Sequence, residues 1–110
     1  MKTLTPLLLA LALALAGPVA AQAQGVTVLS AWYGQSCGAA HGNVTALIKS
    51  RCDGKAPCNY PVDVNALGDA APGCAKNLVV LFACPSQTTV RLAQLPAEAH
   101  GKTLTLACTP

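Results

Sequence analysis

Six cysteines are the densest reactive chemistry in this 110-residue chain: Cys37, Cys52, Cys58, Cys74, Cys84 and Cys108. Thiols at such density can serve as nucleophiles, metal ligands or crosslinks, and the spacing separates these uses. No two of them form a Cys-x-x-Cys pair, and the two histidines, His41 and His100, are isolated, so a structural zinc site finds little support. Neither histidine has a neighbouring Ser, Cys or acid in a recognisable catalytic motif, and oxidised cysteines offer no thiolate. Asp63 and Asp69, six positions apart across a loop, come nearest to a carboxylate pair, with nothing beyond their proximity to support it. The expected chemistry is therefore three disulfides, without catalysis, metal or cofactor. Many pairings of six cysteines are possible, and spacing alone leaves the connectivity open.

Disulfides imply an oxidising compartment, and the start of the chain agrees. Lys2 precedes an apolar stretch centred on Leu7 to Ala16, then Gly17-Pro18 and Ala21-Gln22-Ala23, the order of a signal peptide. The apolar run falls short of the roughly 20 residues that a spanning helix needs. Residues 1–23 are expected to be removed, after Ala23 or Ala21, leaving residues 24–110 as one secreted or periplasmic domain that does not span the membrane. The whole chain is 53% apolar and only 10% charged, but much of the excess apolarity lies in this leader. The net charge of +3 falls to +2 without Lys2. So small a surplus, unclustered and without interleaved aromatics, carries no nucleic-acid footprint.

The elements that must position any site follow from patterning. Val26 to Tyr33 is rich in β-branched and aromatic residues and stops at Gly34, as a first strand would. Asn43 is placed to cap a short helix carrying Val44, Leu47, Ile48 and Arg51 and delivering Cys52. Asn43-Val44-Thr45 also reads as an N-glycosylation sequon. Cys58 to Val62 reads as an extended piece with edge-type prolines at Pro57 and Pro61, and Asn65 to Gly73 as a loop. Leu78 to Cys84, apolar on both faces, is the expected central strand, while 88–92 and 102–108 alternate as half-buried strands do. The fold class expected is α+β: a small disulfide-rich domain of antiparallel strands, one or two short helices and long structured loops. Trp32 and Tyr33 could stack on a sugar ring or belong to the core, and alternation along the strand puts them on opposite faces.

Three segments in register, over about 55 residues, carry a resemblance. They are Ala31-Trp32-Tyr33-Gly34-Gln35, Arg51-Cys52-Asp53-Gly54-Lys55-Ala56-Pro57-Cys58, and Leu67-Gly68-Asp69-Ala70-Ala71-Pro72-Gly73-Cys74-Ala75-Lys76-Asn77-Leu78 running on to Cys84. The chain resembles the sea-urchin-egg-lectin type domains, the rhamnose- or galactose-binding lectins. That family takes its sugar contacts from an acid near its first strand, an Asn before Tyr-Gly, and the Asp, Gly and Lys of its last loop. The resemblance carries the last three to Asp69, Gly73 and Lys76. It departs at Trp32, which stands for the Asn, at Gln35, which stands for an Arg, and at Ala75 and Asn77, which replace two tyrosines. The acid-bearing first strand is missing. The resemblance further implies the pairs Cys52–Cys58 and Cys37–Cys74, leaving Cys84 for Cys108 if segment 102–108 takes the place of the missing strand.

The expected function is carbohydrate binding, without chemistry, by a monomeric or weakly associating domain. Asp69, Gly73 and Lys76 are its site, with Trp32 and Tyr33 as aromatic candidates. The alternatives are an ion pair Asp69–Lys76 that merely braces the loop, in a structural or protein-interaction module of the cell envelope, and a small inhibitor presenting loop 65–73.

Overall fold

The computed structural model describes residues 25–108, and the expected leader, residues 1–23, lies outside them. Within them the chain is a small α+β domain. Strand β1 (Thr27–Tyr33) leads through a 3-10 turn (Gln35–Cys37) to helix α1 (Thr45–Cys52). Strand β2 (Cys58–Pro61) and the single-turn helix α2 (Val64–Leu67) follow, then β3 (Leu78–Ala83), β4 (Arg91–Leu95) and β5 (Thr103–Leu106). All pairings are antiparallel: β1-β3-β4 form one sheet and β2-β5 a second.

Alternation decides what each strand buries. Val28, Ala31 and Tyr33 of β1 meet Leu78, Val80 and Phe82 of β3 in one core with Ile48 and Cys52 of α1. Tyr60 and Cys58 of β2 face the same core, directly opposite Leu104 and Leu106 of β5. β3 is the central strand, as its apolar run implies, although Leu81 reaches the outer face.

β1 is an edge strand, and residues 43–53 supply side chains where a fourth strand would supply backbone. Asn43 Oδ1 accepts from Tyr33 N and Asn43 Nδ2 donates to Tyr33 O, both at 2.9 Å. Two residues back, Ala31 N donates to Thr45 Oγ1 at 3.0 Å, and Ala31 O accepts from Val44 N. Near the bulge between Val28 and Ser30, Val28 N donates to Asp53 Oδ1 at 2.8 Å and Lys49 Nζ donates to Val28 O at 3.0 Å, while Lys49 and Asp53 pair with each other. Backbone groups left unpaired at a covered edge cost stability, and here each alternate residue is answered.

Three sequence expectations change. Asn43 does not cap α1; the cap position is Val44, with no side-chain bond, because Asn43 is engaged at Tyr33. The amide nitrogen that a glycan would occupy is the one donating to Tyr33 O, so the sequon has a structural use. Asn65 to Gly73 is not all loop: Asp63 Oδ1 accepts from Asn65 N and starts α2. The fourth strand runs 91–95 rather than 88–92, since its ladder ends with Arg91 opposite Phe82 and Val90 stays exposed beyond it. β5 forms within 102–108, paired with β2.

Three disulfides close the fold: Cys37–Cys74 and Cys52–Cys58, the pairs that the resemblance implies, and Cys84–Cys108, the pair left over. No helix among the described residues is long and apolar enough to cross a membrane.

Because Asn43 makes two backbone bonds to one residue, Asn43→Ala is expected to destabilise the chain by about 1–3 kcal/mol. Urea unfolding of the disulfide-intact protein measures this, and an unchanged midpoint would show that the β1 edge does not need its side-chain partner.

Candidate binding site

The segment between α2 and β3 folds back over the end of β1 and is pinned there from three sides. The Cys37–Cys74 disulfide ties it to the 3-10 turn. Gly34 N donates to Asn77 O, and Ala99 N donates to Lys76 O. Asn77 Oδ1 accepts from Ser36 N. Lys76 is thereby drawn under the surface until only 4% of it is exposed. Its methylene stem lies 3.6 Å from where a Cβ on Gly34 would sit, and Gly34 has φ of +94°. The left-handed backbone calls for glycine at the residue that follows Tyr33, and the Lys76 stem packs against it at ordinary contact distance.

A buried ammonium needs partners, because burial without them costs several kcal/mol. Lys76 Nζ has two: it donates to Cys74 O at 3.0 Å and pairs with Asp69 Oδ1 at 2.5 Å. The Asp69 side chain is 46% exposed, so the pair spans the boundary between core and solvent. The ammonium also lies 6.0 Å from the centre of the Tyr33 ring.

These residues wall a concave cavity of about 410 Å³ that holds Tyr33, Asp69, Gly73 and Lys76 together with Glu98 and His100. Four of the five residues singled out from sequence thus meet in one place. Trp32 does not. It faces the other side of β1, donates through Nε1 to Ala39 O at 2.9 Å and stacks against His41 with ring centres 4.6 Å apart. Strand alternation is the reason, since neighbours on β1 cannot share a face.

Glu98 and His100 were missed. They come from the segment before β5, where only the three-dimensional path brings them to the cavity. Glu98 Oε1 accepts from His100 N at 3.4 Å, and His100 Nδ1 accepts from Val64 N at 3.1 Å, joining this segment to the start of α2. A sequence signal was present only in outline: Glu98 is the chain's one glutamate.

The Tyr33 hydroxyl is buried with no hydrogen-bond partner among the described residues. Such a group costs about 1–3 kcal/mol. Burial of the ring, followed by the nearby Glu98 carboxylate, holds the phenol above its ordinary range, against an opposing pull from Lys76. It therefore stays protonated, a donor beside an ammonium and two carboxylates. Among the described residues no group of three or more His, Cys, Asp or Glu side chains could hold a metal.

Tyr33 and Tyr60 are the only tyrosines, and burial raises both phenols. Above pH 10 the folded chain then holds more protons than the unfolded chain. Stability present below pH 10 is lost as pH rises through the folded-state values. Tyrosinate absorbance of the folded protein should develop only above pH 10, with the urea midpoint falling over the same range, and Tyr33→Phe should reduce that fall. Ordinary titration of both phenols in the folded chain would contradict the burial described. No family model matches this chain, and no curated protein or solved structure matches it.

Proposed function

We propose that the Asp69–Lys76 cavity binds a carbohydrate, without chemistry, and that the chain acts as a secreted or periplasmic lectin-like domain. The observation that carries the reading is the meeting of Asp69, Gly73 and Lys76 with Tyr33 in one concave site. Asp69, Gly73 and Lys76 are the positions to which the lectin resemblance carries sugar contacts. Sugar hydroxyls both donate and accept, and the cavity offers both: Lys76 donates, while Asp69 and Glu98 accept, with the buried Tyr33 behind them in the wall. Glu98 adds a second carboxylate to the cavity from the segment before β5. Three disulfides suit an extracellular or periplasmic setting.

A second reading, a protein-interaction module of the cell envelope, is favoured by the outer face of the three-stranded sheet. Leu81 and Leu92 are directly paired and exposed there. Exposed apolar neighbours of this kind often mark a contact surface.

Calorimetric titration of the disulfide-bonded protein with rhamnose, galactose and polysaccharides containing them separates the two. Binding is expected, of modest strength at a single small site. Glu98→Gln and Lys76→Met are expected to weaken it about tenfold or more, since each removes a charge-assisted hydrogen bond. Absence of binding to every sugar, or binding indifferent to both substitutions in folded protein, would overturn the lectin reading.

A further inference from the structure

The Cys52–Cys58 disulfide closes a short loop that presents Lys55, with Arg51 of α1 just ahead of it, on the far side of α2. Arg51 stands at the end of α1, and Lys55 is held by its own backbone: Lys55 N donates to Cys52 O, and Lys55 O accepts from Val26 N. Both side chains are exposed, and among the described residues neither has a carboxylate within ion-pair distance. Together with Asn59 and Tyr60 they line a second cavity, of about 340 Å³.

The remaining polar groups there favour an anion. Asn59 faces outward from β2, and its Oδ1 accepts from Thr105 Oγ1 at 2.7 Å, which leaves Nδ2 as a donor. Tyr60 is 6% exposed, with Arg51 close enough to act on its phenol. Asp63 is the single acid in the lining, and its Oδ1 accepts from the backbone of α2. Two cations against one carboxylate leave the groove positive. Arg is suited to a planar carboxylate or sulfate through paired N–H bonds, with Lys as a point charge beside it.

The two cavities flank the same helical turn. Asp63 and Ala66 line the Arg51 groove, whereas Val64 lines the Asp69–Lys76 cavity. We infer that the groove formed by Arg51, Lys55 and Asn59 is a second ligand site, which holds the anionic group of an acidic saccharide. The saccharide scaffold rests on the carbohydrate reading given above; the anion site itself rests on the groove. A chain of sugar units could cross α2, with a neutral ring at Lys76 and a carboxylate or sulfate ester at Arg51. Inorganic sulfate and an acidic saccharide share the recognising chemistry, and they can be told apart.

Amide shifts of the isotope-labelled, disulfide-bonded protein provide the test, with inorganic sulfate, galactose and a galacturonate oligomer as probes. Sulfate and the oligomer are expected to shift the amides around Lys55 and Asn59. The oligomer should bind more tightly than sulfate and lose affinity as salt is raised. In the double variant Arg51→Gln, Lys55→Gln, sulfate shifts should vanish and oligomer affinity should drop about tenfold, while any galactose shifts near Lys76 persist. Three results would overturn the inference: no sulfate response at the groove, sulfate binding without oligomer binding there, or an oligomer affinity unchanged in the double variant. A chain that binds the oligomer through Arg51 and Lys55 but shows no galactose response at Lys76 would retain this site and lose the neutral-sugar reading.

Discussion

The open edge of β1 is the constraint around which the rest is arranged. A three-stranded sheet with an unpaired edge against its own helix must satisfy those backbone groups or lose stability, and water has poor access where α1 packs. Asn43, Thr45, Lys49 and Asp53 answer Tyr33, Ala31 and Val28 in turn. The spacing of these four side chains follows both the helix and the strand. It seats α1 along β1, brings Ile48 into the core, and sets the height of Tyr33 at the strand's end, where the candidate site begins.

Crosslinks extend that frame to segments a small core cannot hold. A chain of this size buries a modest share of its surface, and each bridge restrains the unfolded chain by about 2–4 kcal/mol. Cys37–Cys74 holds the loop bearing Asp69 and Lys76 over Gly34, and Cys52–Cys58 holds the turn bearing Lys55. Cys84–Cys108 ties the end of the β5 segment to the end of β3, and Ala99 N–Lys76 O ties its beginning to the cavity wall. The buried ammonium of Lys76 is where these restraints converge. It makes the Asp69 pair more than a surface contact, because one partner has left water and the other has not.

Much of this was legible in the residues. The apolar run 78–84 marked the central strand, though not that Leu81 would be exposed, and alternation in β1 already separated Trp32 from Tyr33. Two of the disulfide pairs were expected from the lectin resemblance rather than from spacing, and Cys84–Cys108 as the two thiols left over. What misled were residues with two plausible local uses. Asn43 is a good helix cap by type, yet two hydrogen bonds to an edge strand outweigh one to a helix start. Val90 has strand propensity, but its ladder ended one residue later because the pairing with β3 stops at Arg91. Glu98 and His100 had no local pattern at all.

Sequence alone determined the class of molecule: six cysteines without metal-ligand spacing point to a small disulfide-rich domain, and periodicity assigns most strands and their buried faces. Those properties are local or compositional, so neighbouring residues suffice to express them. Only the tertiary structure decided that Asp69, Lys76, Tyr33 and Glu98 share a cavity, and that Arg51 and Lys55 face a different groove across α2. Tyr33, the loop bearing Asp69 and Lys76, and Glu98 are far apart along the chain. Their meeting depends on register, on the path of the loops and on the desolvation of one lysine, which are set by the packing of all the elements together.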